Sequence, residues 1–168
     1  MNIKLIIAIS IALINQSCRN QPCSPKLSDY ASLEKCSTDE KCIEDVEFIS
    51  ISHPSNTHKD FYFINSDVDY TSFKDDQDTN FPNHGIEYPV IDFSKKTLLG
   101  KVVSTTACGI ATTSKLTEVS TTKRNWTIRV IKDSNCEKNV FKICWIVIPK
   151  INQSEDVQII VKEEICTK

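Results

Sequence analysis

A chain of 168 residues, 40% hydrophobic and 25% charged, has the size and balance of one globular domain plus a short leader. Its formal net charge of −2 gives no electrostatic case for nucleic acid as a partner, since DNA and RNA require a clustered basic surface. With three glycines and no GxGxxG or GxxxxGK(S/T) run, it also has no Gly-rich loop to cradle a phosphate.

The N-terminus reads as an export signal. Lys4 and the α-amino group form a small positive region, "LIIAISIALI" (5–14) is uniformly apolar, and "NQS" leads to a cleavage point after Ser17. Ten helical residues cover about 15 Å, half of a hydrocarbon core, so this run is too short to span a membrane. The expected organisation is a signal peptide at 1–17, a polar tether at 18–27 and a single disulfide-containing β-rich domain at 28–168. Loss of Lys4 with the leader changes the charge from −2 to −3.

"INQSC" (14–18) is similar to a bacterial lipobox. Ser17 supplies the small residue before the cysteine, whereas Asn15 stands where that pattern has an aliphatic residue. The following "RNQPCSPKLSD" is polar and carries two prolines, as suits a tether between a lipid and a domain. Cys18 is therefore expected to begin the mature protein and to carry the lipid; plain secretion is the alternative. Several acyl chains on one cysteine anchor a protein firmly.

Export permits disulfides, and with Cys18 acylated, seven of the eight cysteines remain, so at least one is unpaired. Cys144, inside "KICWIVIPK", is expected to be a free buried thiol acting as a small hydrophobe. Cys23, Cys36, Cys42, Cys108, Cys136 and Cys166 then allow fifteen pairings. Cys36–Cys42 closing a small loop and Cys108–Cys136 bracketing two strands are the pairs expected. Structural zinc is disfavoured, because the closest spacings, C-x4-C and C-x5-C, have no matching second pair.

Along the chain, "LSDYASLEKCSTDEKC" (27–42) looks helical and hairpin-like. "VEFISIS" (46–52) and "FYFIN" (61–65) are strand candidates, the first with Val46 and Phe48 on one face and Ile49 and Ile51 on the other. Ser66 offers an N-cap to a short helix at 67–74, with Asp67 and Asp69 at its positive end. Residues 75–90 read as polar and irregular. Strands follow in "KTLLGKVVS" (96–104), "KLTEVST" (115–121) and "NWTIRVIK" (125–132), the last placing Trp126, Ile128 and Val130 on one face. "KICWIVIP" (142–149) is apolar on both faces, as a central strand should be, and "VQIIVKEEI" (157–165) fades to charge as at an edge. Short loops make antiparallel neighbours the simplest arrangement. The fold class is mainly β, an antiparallel β-sandwich or roll of about 6–8 strands with one or two short helices.

Candidate chemistry is sparse. Asp76, Asp78, Asn80 and Glu87 fall at positions 1, 3, 5 and 12 of an EF-hand-like calcium loop, but Phe81 occupies the glycine position and Pro82 follows it. A solvated acidic loop is the preferred reading, with no metal and no cofactor expected. His53 and His58 share one loop, and His84 stands apart. No serine sits in a G-x-S-x-G elbow, and Cys108 beside Gly109 reads as a disulfide half in an oxidising compartment. No catalytic residue is assigned and no enzymatic activity is expected.

"FYFINSDVDYTSF", "VIDFSKKTLLG", the Cys-bearing turn "STTACG", "NWTIRVIKDSNC" and "CWIVIPKI" together resemble small Bacteroidetes envelope lipoproteins of unknown function. More distantly they are similar to the C-terminal domain of spirochaetal lipoproteins that stabilise a secreted protease complex. The resemblance spans about residues 46–162. It implies that Asp92 tethers a turn before a strand, that Trp145 and Ile148 are core, and that Cys108 and Cys136 match cysteines of the small lipoproteins. Where the protease-stabilising type carries a Gly-rich turn after "LLG", this chain has Ser104–Gly109. The implied protein is held at the cell envelope, at the outer membrane, by a lipid anchor, with soluble secreted or periplasmic protein as the alternative. Its β domain would bind or stabilise another envelope or secreted protein; a surface module for a small ligand or glycan is the alternative function.

Overall fold

Among the described residues, period-two alternation of apolar residues builds eight strands into two four-stranded sheets, with one α-helix against the second sheet. The computed structural model describes residues 31–51, 59–82, 85–133 and 138–166. In chain order the elements are β1 (Ala31–Leu33), β2 (Glu47–Ile49), β3 (Phe61–Ile64), α1 (Asp67–Asn80), β4 (Lys96–Thr106), β5 (Ile110–Glu118), β6 (Arg124–Asp133), β7 (Asn139–Pro149) and β8 (Val157–Cys166). One sheet has the order β1-β5-β6-β8 and the other β2-β7-β4-β3. The result is a mainly β, sandwich-like fold with no closed barrel.

Two cores follow from the two faces of the second sheet. Between the sheets lie Leu99 and Val103 of β4, Cys144, Ile146 and Ile148 of β7, and Trp126, Ile128 and Val130 of β6. On the opposite face, α1 covers Tyr62, Ile64, Leu98, Trp145 and Val147 with Tyr70 and Phe73. β7 is thus buried on both faces from Cys144 to Ile148, which explains its uninterrupted apolar run. Val46 and Phe48 join the first core and Ile49 and Ile51 the second, as their alternation requires.

The closest packing in the second core is backbone against ring. Gly100 of β4 is directly opposite Trp145 of β7 and Tyr62 of β3. A Cβ on Gly100 would lie 2.2 Å from Cζ3 of Trp145, so only glycine lets the indole lie flat across the strand. Asp92 holds the turn before β4, its Oδ1 accepting from Ser94 N at 3.1 Å and its carbonyl from the Lys96 amide at 2.9 Å. Lys150 fastens the helical layer to the sheet by donating to the carbonyls of Asn65 and Phe93.

Four local expectations are corrected. The helical, hairpin-like reading of 27–42 gives way, at Ala31–Leu33, to a strand parallel to β5, while Cys42 forms a bridge to Thr117. Pairing with the open edge of β5 satisfies backbone groups there, as in Glu34 N to Ser114 O at 2.8 Å, and outweighs a weak helical spacing. Second, α1 does not stop at residue 74 but runs to Asn80, because Tyr70, Phe73 and Gln77 form one buried stripe against the sheet. The EF-hand-like spacing of Asp76, Asp78, Asn80 and Glu87 is therefore not a loop. Its first three residues occupy the last turns of a helix, where Asp76 and Asp78 point to different sides. Asn80 Nδ2 donates to the Asp76 carbonyl and Asp78 accepts from Tyr88 Oη.

Third, the strand expected at 115–121 runs instead from Ile110 to Glu118, with the β-branched Thr112 and Thr113 extending it at its start. Fourth, neighbours are not all antiparallel: β1 pairs parallel to β5 and β8 parallel to β6. β7 lies in the other sheet between β6 and β8 in sequence, so the chain crosses over and returns in the same direction.

Candidate functional site

The two sheets leave one side of the sandwich open, between β3 at the edge of one sheet and β8 at the edge of the other. A groove of about 630 Å³ lies there, lined by Phe61, Lys101, Val157, Ile159 and Val161, with Asp60 and Ser154 at its margins. Alternation builds its floor: Val157, Ile159 and Val161 of β8 are opposite Arg124, Trp126 and Ile128 of β6. They face the inter-sheet space, and β3 is too short to close over them.

Charges at the groove are paired. Lys101 Nζ lies 2.5 Å from Asp60 Oδ2, with the lysine side chain 16% exposed and the aspartate 79%. Beyond Val161, Glu163 Oε2 accepts from Lys132 Nζ at 2.6 Å and from Thr105 Oγ1 at 3.1 Å. The hydrogen bond from Lys132 holds the Glu163 carboxyl below the ordinary carboxylate range.

The outer face of the same sheet carries a second polar line. Arg129 of β6 donates through Nη1 to Glu34 at 2.7 Å, and through Nε and Nη2 to both carboxylate oxygens of Glu164 at 2.9 and 2.5 Å. Thr113 Oγ1 also bonds Glu34. These contacts cross all four strands and tie both parallel edges, β1 and β8, to the antiparallel pair at the centre. The bonds to Glu164, then to Glu34, raise the Arg129 pKa against the opposing effect of burial, and the Arg129 bond lowers that of Glu164.

The structure places the sequence-predicted residues unevenly. Cys36 and Cys42 form a disulfide. Cys144 is a free thiol, fully buried, and burial pushes its pKa up, so it is a protonated core group rather than a nucleophile. Cys108 is disulfide-bonded, while Cys136 lies outside the described residues. Cys18, Cys23, His53, His58 and His84 also lie outside them, as does the side chain of Cys166. Asp76, Asp78 and Asn80 share the end of α1, and among the described residues no group of three or more His, Cys, Asp or Glu could hold a metal. None of the described residues among these lines the groove.

Chemically, the groove offers an apolar floor and a neutralised ion pair. Such a surface is complementary to apolar side chains. Tyr62, Tyr70, Phe73, Phe93 and Trp145 pack on one another beneath α1, with centroids 5.2 Å apart for Tyr62–Trp145 and 5.4 Å for Phe73–Trp145. Phe61 is the aromatic ring that reaches the groove. Sequence reading singled out no groove residue. The available signal was the triplet Val157, Ile159, Val161 in a final strand, but its apposition to Phe61 joins segments about a hundred residues apart.

No helix among the described residues is long and apolar enough to cross a membrane. No protein-family model matches the chain, and no curated protein or solved structure matches it.

Proposed function

We propose that this protein is a lipid-anchored cell-envelope protein, acylated at Cys18, whose β domain holds another polypeptide and performs no catalysis. The observation that carries the binding half is the groove between β3 and β8, with Phe61, Val157, Ile159 and Val161 forming its floor. Its size suits a few side chains of a bound segment. The anchor rests on the apolar leader, on Ser17 before Cys18 and on the polar tether that follows. The resemblance to envelope lipoproteins points the same way and favours the outer membrane. A glycan-binding module is the weaker reading, because sugars stack on exposed aromatic faces and the rings under α1 are occupied with each other.

Two measurements test this. Mass spectrometry of the mature N-terminus should find acyl chains on Cys18; an unmodified Cys18 as first residue, or an intact leader, would remove the anchor. A photo-reactive residue placed at Ile159 should form a discrete polypeptide adduct in envelope fractions, and one at the exposed Leu33 of β1, at the opposite edge of the same sheet, should not. Adducts absent at 159, or equal at the two positions, would remove the groove as the binding site.

A further inference from the structure

The edge beside the groove specifies how a polypeptide would be held. In a parallel pair, alternate residues of a strand turn both N–H and C=O toward the partner, and the residues between turn theirs away. β8 pairs with β6 on one side, and no described strand pairs with its other side. The remaining sheet edges are short, with three residues in β1, three in β2 and four in β3, whereas β8 has ten in unbroken register. β8 contains no proline and no bulge, and its first five residues, "VQIIV", carry no charge. Val161 is 42% exposed and Ile165 51%. An unbulged edge with an uncharged first half is what folded proteins ordinarily avoid presenting, while Lys162, Glu163 and Glu164 charge the second half.

Resting on the groove-binding reading above, we infer that β8 takes the bound polypeptide as an added strand. The occupant is an uncharged extended segment with apolar side chains at alternate positions. The added strand hydrogen-bonds to the free edge of β8, and every second side chain lies over Phe61, Ile159 and Val161. Charge balance selects its chemistry. Asp60 is paired with Lys101 and Glu163 with Lys132, so neither the charged lining residues nor the carboxylate beyond Val161 is left to attract a charged segment. Opposite Glu163, a hydroxyl residue supplies a donor without adding charge.

A second copy of the chain fits poorly. An antiparallel β8–β8 pairing that keeps the two faces aligned sets residues opposite whose numbers share parity. Centred on residues 160, 161, 162 or 163, it places Glu163 against Val157, Ile159, Val161 or its own copy, respectively. Each register sets a carboxylate against an apolar side chain or a like charge, which opposes self-pairing.

The test uses the mature chain with Cys18→Ser and a nine-residue acetylated, amidated peptide of order Thr-Gln-Val-Gln-Val-Gln-Val-Gln-Thr, which keeps the threonines on the valine face. Its palindromic order suits either strand direction. Binding is read by titration calorimetry, and β8 is followed by amide exchange. The free protein should show exchange protection at alternate amides across 157–166, and the peptide should protect the rest. Methylating the peptide's backbone nitrogens along one edge should weaken binding about tenfold or more, since it removes donors and leaves side chains unchanged. Val161→Lys should weaken it comparably, with 0.1 and 0.5 M NaCl giving the same affinity. Equal binding of the N-methylated peptides along either edge would overturn strand addition while leaving groove capture standing. No binding by any of these peptides would overturn the inference, while the photo-adduct at Ile159 decides separately on the groove. Full protection of β8 in the free protein, or sedimentation as a dimer lost in Val161→Lys, would assign the edge to the chain itself and overturn it as well.

Discussion

Gly100→Ala should destabilise the aromatic layer although it adds a single methyl group. An ideal Cβ at Gly100 lies 2.2, 2.5 and 2.7 Å from Cζ3, Cε3 and Cη2 of Trp145. Carbon atoms rest at about 3.5–4.0 Å, so the ring would have to retreat by more than about 1 Å. It has no room: Trp145 is 1% exposed, with Tyr62 5.2 Å away on one side and Phe73 5.4 Å away on the other. Overpacking of this kind costs about 1–3 kcal/mol, and the entropic advantage of alanine over glycine in a strand returns about 0.5–1 kcal/mol. The net loss, between about 0 and 2.5 kcal/mol, lowers Tm by up to about 10 °C at this chain length. Urea and thermal unfolding followed by tryptophan fluorescence measure it. Trp145→Phe removes all three clashing atoms, so in that background Gly100→Ala should cost much less, and the double-mutant cycle should show coupling. Equal losses in the two backgrounds, or a stabilised Gly100→Ala, would refute the packing argument.

Other expectations follow from single contacts. Ser66 caps α1, accepting from Asp69 N at 3.1 Å and donating to Asp69 Oδ2 at 2.7 Å, so Ser66→Ala should cost about 1 kcal/mol in urea unfolding, and Ser66→Asp should retain most of the cap. Arg129 and Lys132 depress the folded-state pKa values of Glu164 and Glu163. A depressed carboxylate contributes stability above its unfolded value of about 4.3 that is lost as pH falls through the lower folded value. Tm should therefore drop on acidification below about pH 4.3, and Arg129→Met should flatten that limb; an unchanged acid limb would show that the clamp is fully screened. Cys144 should resist a maleimide reagent in the native protein and react once urea unfolds it, as mass spectrometry of the labelled peptide reports.

Strands whose apolar face is set by their own alternation were legible before the structure. In β6, Trp126, Ile128 and Val130 point inward as their spacing requires, and β7 is central because both of its faces are apolar. Ser66 was readable as a cap because capping is a contact across three residues. What could not be read is long-range. The segment around Ala31–Leu33 adopts strand geometry because β5 offers it an edge more than eighty residues later. The acidic end of α1 is helical because Tyr70, Phe73 and Gln77 find a sheet surface to cover, although no sequence window of charged residues shows that surface. The groove is the extreme case, since it exists only where β3 stops short across from β8.

The outer-face clamp and the groove are two consequences of one topological choice. Crossing from β6 through the other sheet brings β8 back parallel, and parallel pairs are slightly weaker per residue than antiparallel ones. An edge strand held that way, with one side unpaired, would fray unless side chains added support. Arg129 supplies it through the bidentate contact to Glu164, and Lys132 adds a bond to the neighbouring Glu163. Because alternate residues of β8 face opposite ways, Glu164 is held on the outer face and Glu163 at the inter-sheet face, and Val157, Ile159 and Val161 remain free to form the groove floor. The charged half of β8 thus ties the strand to β6, while the uncharged half contributes its apolar face to the groove.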